Sequence, residues 1–182
     1  MEVLSSGGVR PRALLREALF QAAGVAFEAA VFAPARAADH PCADRTGGKA
    51  HQSGQPTVVF IHGVLGDHSV WILQSRYLAH HGWNVLAIDL PGHCKSAGEA
   101  PESVEAAAEF IGHLLDAAGV RQAALVGHSW GSLIALETAS NLKARISHLV
   151  LVGTAFPMKV TPALLEASLN APLEAMKMIN VF

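Results

Sequence analysis

From Pro56 onward the apolar residues gather into short, nearly unbroken runs: Thr57 to Ile61, Val85 to Leu90, Ala123 to Gly127 and His148 to Gly153. Each closes at or near a glycine or proline, which is the pattern of strands buried on both faces of a parallel sheet. Between the runs the period lengthens to three or four. Ser69 to His81 reads as a helix stopped by Gly82, a residue type that suits the left-handed C-terminal cap. Pro101 to Ala118 places Val104, Ala108, Ile111 and Leu115 on one face and closes at Gly119. A third helix follows Ser129, with Leu133, Leu136 and Ala139 on one face. Strands alternating with helices of this length predict an α/β fold, a mostly parallel sheet with helices on both faces. Beyond Gly153 the texture changes to Thr161-Pro162 and Ala171-Pro172, where each proline can open a short helix. The second of these carries Leu173, Met176 and Ile179 and runs to Val181 and Phe182 without a cap. Residues 1–55 carry weaker signals and end in Asp39 to Gln55, a linker or loop rich in Gly, Pro, Ser, His and charge.

Composition narrows the partners. The 182 residues are 51% hydrophobic and 15% charged, enough for one domain with a sizeable core. A formal net charge of −2 supplies no basic footprint, so neither nucleic acid nor an anionic membrane surface is an expected partner. No apolar stretch reaches the roughly 18 residues of a spanning helix. The nearest, Ala18 to Ala33, is broken by Gln21 and Glu28. With Arg10, Arg12 and Arg16 before it and Ala35-Arg36-Ala37 after it, this segment has the outline of a secretory signal. Glu28 inside the apolar region argues against export, so an amphipathic helix in a cytoplasmic protein is the plainer reading. Cys42 and Cys94 lack metal-ligand spacing and read as free thiols in a reducing compartment.

The chemistry concentrates in Gly127-His128-Ser129-Trp130-Gly131. A GxSxG pentapeptide is informative when it follows a strand and opens a helix, and here it does both. The turn forces the serine into a strained conformation, so its neighbours two positions away must be tiny, as Gly127 and Gly131 are. Ser129 then meets a helix N-terminus, whose amides and dipole favour a developing negative charge. Upstream, Val58 to Ile61 runs into His62-Gly63-Val64-Leu65-Gly66-Asp67, a loop able to aim a backbone amide at an oxyanion. Between the two lies Asp89-Leu90-Pro91-Gly92-His93.

These three motifs, in this order, resemble the α/β-hydrolase fold family over about Pro56 to Phe156. The resemblance implies that Ser129 is the catalytic nucleophile and that the backbone amides of Val64 and Trp130 form the oxyanion hole, with Gly63, Gly127 and Gly131 as the loop and elbow glycines. Each such donor is typically worth about 3 kcal/mol in the transition state. It implies an organisation of N-terminal extension at 1–55, hydrolase core at 56–156 and the start of a helical lid at 157–182. The expected substrate is a small carboxylic ester or related acyl compound, handled through an acyl-enzyme. No cofactor and no metal are expected. Cys94 departs from the family, which usually has Gly-His-Gly where this chain has Gly92-His93-Cys94, and implies a strained or altered turn. A reactive-thiol role for it lacks a placed base.

Of the ten histidines, His62 is expected to brace the oxyanion loop and His93 its own turn. His128 is expected to point away from Ser129, and His148 to begin a strand at the end opposite the catalytic face. The resemblance also implies a triad acid and histidine after later strands, in the order serine, acid, histidine. After Ser129 the sequence holds no aspartate and a single histidine, His148. The strand ending at Gly153 counts as the sixth of the family, and beyond it stand only Glu166 and Glu174 as acids. The chain therefore reads as an N-terminal fragment, inactive alone and poorly soluble, with an uncovered apolar sheet edge. Two other readings remain: an acyltransferase or cofactor-free haloperoxidase using the same elbow, and a non-catalytic binding module that retains the fold.

Overall fold

The computed structural model describes residues 46–155 and 157–180. The signal-like segment, Cys42 and the last two residues lie outside them. Four strands form one parallel sheet: β1 (Thr57–Ile61), β2 (Asn84–Ala87), β3 (Ala123–His128) and β4 (Ile146–Val152), in the spatial order β2-β1-β3-β4. The strand counted as sixth by family order is thus the fourth among the described residues. The second strand is shorter than its apolar run: its register with β1 ends at Ala87, the Ile88 amide makes one more bond to the Phe60 carbonyl at 3.2 Å, and Ile88 and Leu90 stay fully buried.

A 3-10 turn (His68–Trp71) and helix α1 (Ile72–His80) connect β1 to β2, α2 (Val104–Ala117) connects β2 to β3, and α3 (Trp130–Leu142) connects β3 to β4. Strand alternation divides the core between the two faces of the sheet. Val58, Phe60, Val85, Ala87 and Ala124 pack with Trp71 and Ala79 on one face. Val59, Ile61, Leu86 and Leu125 turn to the other, where α3 packs on the sheet and α2 on α3. The α2 stripe of Val104, Ala108, Ile111 and Leu115 is buried as its spacing predicts. The α3 stripe is not. Leu136 is exposed, whereas Leu133, Ile134, Glu137 and Thr138 are buried. A helix held between a sheet and a second helix buries more than one stripe. Thr138 tolerates this because its hydroxyl donates to the Ile134 carbonyl at 2.7 Å, and the Glu137 carboxylate accepts from Asn141 at 3.0 Å.

The ends of the elements follow local chemistry. Gly82 takes φ 84° directly after α1, and the Trp83 amide returns to the Leu78 carbonyl at 3.1 Å, the left-handed cap the sequence predicts. Ser103 caps α2, its hydroxyl accepting from the Ala106 amide at 3.1 Å. Strand β4 differs from the other three. Val150, Leu151 and Val152 are 47%, 38% and 42% exposed, and β4 forms one edge of the sheet.

A second compact unit begins at Ala155. It contains α4 (Pro162–Asn170) and α5 (Pro172–Asn180), which pack against each other. Thr161 caps α4 through its hydroxyl to the Leu164 amide at 3.2 Å, with Pro162 in the first turn, as the Thr-Pro signal predicts. No helix among the described residues is long and apolar enough to cross a membrane.

Candidate active site

The order β2-β1-β3-β4 places a reversal of direction beside β1: the chain steps to β2 on one side, then crosses back to β3 on the other. Ligand sites in open parallel sheets form at the carboxyl ends of the strands flanking such a reversal. Register decides which residues meet there. Ile61 pairs with Gly127, so Gly63 and Ser129, each two residues further on, come side by side. A Cβ built on Gly63 would stand 3.1 Å from Ser129 Cβ. The loop that carries Val64 therefore runs directly against the serine, and a larger residue at position 63 would crowd it.

Ser129 occupies the single step between β3 and α3, at φ 53° and ψ −122°, where residues other than glycine are rare. Its amide donates to the Val152 carbonyl at 2.9 Å, so that N–H is committed to the sheet. The next amide, of Trp130, opens α3 and has no acceptor within the helix. Both flanking glycines are required by close approach. A Cβ at Gly127 would lie 2.2 Å from the Gly131 carbonyl oxygen, and one at Gly131 would lie 2.4 Å from the His62 carbonyl oxygen. Ser132 fastens the turn from the helix side, its amide donating to the Ser129 carbonyl at 2.9 Å and its hydroxyl donating to the same oxygen.

His62 ties two loops together. It is fully buried, and its Nε2 accepts from the Leu90 amide at 3.1 Å. An amide can only donate, which fixes the neutral tautomer with the proton on Nδ1, and Nδ1 donates to the Gly63 carbonyl at 2.8 Å. Burial lowers its pKa below the ordinary 6.5, outweighing the bond to Gly63. The loop itself is a tight turn, Gly66 N–H to Gly63 C=O at 3.1 Å, with Leu65 at φ 57°. His93 closes its own turn through Nδ1 to the Pro91 carbonyl at 2.9 Å. His148 lies near the start of β4, paired with Ala124 and remote from the carboxyl edge. The ring of His128 stands near Gly63 and Trp71. Its Nδ1 would lie 3.2 Å from a Cβ on Gly63, the glycine that also meets Ser129, and its plane stands edge-on to Trp71. The side chain thus lines the rim of the site.

Left-handed backbone clusters here. Of four non-glycine residues with positive φ among those described, Leu65, Cys94 and Ser129 lie on loops at the carboxyl edge, and Lys143 alone lies elsewhere. Strain of this kind persists where surrounding structure imposes it and marks functional loops. Cys94, at φ 48°, keeps the conformation expected of the glycine it replaces.

A sequence model of the α/β-hydrolase fold matches residues 56–176. The chain belongs to the α/β-hydrolase fold family. Among its relatives, a dihydrolipoyllysine-residue acetyltransferase component of the acetoin cleaving system from Cupriavidus necator is 36% identical over 101 residues, 55% of this chain and 27% of that protein. Lipase LipV of Mycobacterium tuberculosis is 34% identical over 105 residues, 57% of this chain and 39% of the lipase. The structure of Est816, an N-acyl homoserine lactone degrading enzyme, superposes with a TM-score of 0.57 at 26% identity, over 66% of this chain and 48% of that one. This α/β-hydrolase chain spans between about a quarter and two-fifths of the length of the curated relatives it matches.

Two features of the site were hidden in the sequence. The placement of His128 depends on the register of β1 against β3. Donor atoms of His68, Asp89 and Cys94 lie within 4.8 Å of one another, and no spacing rule connects His68, on the loop after β1, with Asp89 and Cys94, after β2.

Proposed function

We propose that this chain carries the nucleophile and oxyanion-binding half of a serine hydrolase acting on carboxylic esters or related acyl compounds. The observation that carries the reading is Ser129, held in a left-handed conformation between β3 and α3 with Gly63 against its Cβ. Ser129 Oγ attacks the acyl carbon to form an acyl-enzyme, and the amides of Val64 and Trp130 receive the oxyanion. The helix α3 dipole adds favourable potential at the same point. Neither His62, which spends both ring nitrogens on the backbone, nor His148, at the far end of its strand, takes the proton of Oγ; in this reading the base is the triad histidine that the family carries after later strands. Loss of the triad histidine alone costs on the order of a millionfold in a well-studied protease, so the chain by itself is predicted to turn over no substrate. Residues 157–182 begin a lid in this reading, supported by the exposed Leu169 and Leu173 on its helices.

A fluorophosphonate probe tests the assignment by intact mass and peptide mapping. The expected result is slow labelling confined to Ser129, accelerated by added imidazole and abolished in Ser129→Ala. Equal labelling of the variant, or none in the parent chain, overturns the nucleophile; fast labelling without imidazole overturns the external base. Transfer to an acceptor other than water is the second reading, favoured by the acetyltransferase name of the Cupriavidus necator relative. Product analysis with competing alcohols separates it from hydrolysis.

A further inference from the structure

Two loops flanking the serine bring together three side chains that the hydrolytic reading does not use. His68 opens the 3-10 turn after β1, Asp89 follows β2, and Cys94 lies on the next turn. We infer that His68 Nδ1, a carboxylate oxygen of Asp89 and Cys94 Sγ form a binding site for a zinc-type divalent ion, with solvent at the fourth position.

The three donor atoms lie within 4.8 Å of one another. Tetrahedral zinc takes thiolate at about 2.3 Å and imidazole or carboxylate at about 2.0–2.2 Å, which sets adjacent donors about 3.3–3.6 Å apart. His68 Nδ1 and Asp89 Oδ1 are now 2.7 Å apart and hydrogen-bonded. Replacing their shared proton by an ion requires them to part by about 0.6 Å, a rotation of two side chains. A mixed nitrogen, oxygen and sulfur set favours zinc-type ions over magnesium or calcium, which select oxygen.

The surroundings support an ion. Asp89 is fully buried, and its Oδ1 also accepts from the His68 amide at 2.8 Å. Its backbone carbonyl accepts from the Ser96 hydroxyl at 2.7 Å. Such outer contacts fix a ligating carboxylate. Cys94 is exposed and gives the ion a path from solvent. The carboxylate of Asp89 and the thiolate of Cys94 together balance a double positive charge, and Asp67, 4.0 Å from His68 Nδ1, deepens the negative field. Cys94 also holds a left-handed turn position at φ 48° where glycine is relaxed, so a side chain is retained there against backbone preference.

Protons balance simply. Cys94 enters the reaction as the thiol, the ordinary state of a cysteine near neutral pH. As the metal–sulfur bond forms the S–H bond breaks and its proton passes to solvent. His68 passes its Nδ1 proton through water to Nε2. One proton leaves per ion bound. The bound ion clamps the loop after β1, which carries Val64, to the loop after β2.

The test uses the full chain on a cysteine-free carrier, under reducing anaerobic conditions, titrated with zinc against a chromophoric chelator and with cobalt for its spectrum. The expected result is one ion per chain, a thiolate-to-cobalt charge-transfer band, and at least a hundredfold weaker binding in Cys94→Gly and in His68→Ala. Cys94→Gly relieves the turn and so keeps the fold, which circular dichroism checks. Cys42→Ser and Ser129→Ala are expected to bind as the parent does, making the outcome independent of the serine chemistry. Unchanged affinity in Cys94→Gly, absence of the charge-transfer band, or no binding overturns the site.

Discussion

At the residue scale, His62 is the side chain whose protonation matters most to the loops around Ser129. Its Nε2 accepts from the Leu90 amide and its Nδ1–H donates to the Gly63 carbonyl, so a second proton on Nε2 removes an acceptor from a buried amide. Burial, followed by the charge of neighbouring His93, lowers its pKa, while the Gly63 bond and the carboxylates of Asp89 and Asp67 act the other way; the net shift is downward from 6.5. The sign follows from linkage. As pH falls below 6.5, unfolded chains take up the proton before folded ones do, so stability is lost from that point down to the folded pKa. Urea melts at pH 7.5 and 5.5 are expected to show a larger loss for the parent chain than for His62→Gln, whose amide oxygen can still accept but does not titrate. Equal losses would remove His62 from the acid response.

At the element scale, the helices are set by their caps and stripes, and these were readable in the sequence. Ser103 begins α2, and its hydroxyl accepts from the Ala106 amide; Ser103→Ala is expected to cost about 1 kcal/mol. Thermal melts check this, and a variant as stable as the parent removes the cap from the account. Helix α3 shows where reading stops. Its sequence offers Leu133, Leu136 and Ala139 as a face, yet the buried set includes Glu137 and Thr138. A helix covered on more than one side has no single stripe, and the coverage comes from α2 and the sheet, not from the helix itself.

At the scale of the molecule, strand β4 is the weak margin. Its neighbour on one side is β3, and Val150 and Val152 remain nearly half exposed. A long apolar edge strand invites pairing with another chain. The 182-residue chain is therefore expected to self-associate, and Val150→Lys to shift it toward monomer several-fold without unfolding it. Sedimentation velocity at two concentrations reads the change; equal association of both chains would remove β4 as the cause.

The sequence by itself determined the alternation of strands and helices, the parallel sheet, and the glycines around Ser129. Period, punctuation and the size of a side chain are local properties, and each of these features depends on nothing further away. Tertiary structure decided what is adjacent across the sheet. Pairing Ile61 with Gly127 brought Gly63 against Ser129 and kept His128 on the rim. The turns after β1 and β2 gathered His68, Asp89 and Cys94. Such neighbours follow from strand order and register, which are fixed by burying both faces of the sheet at once, and no single segment of the chain contains that information.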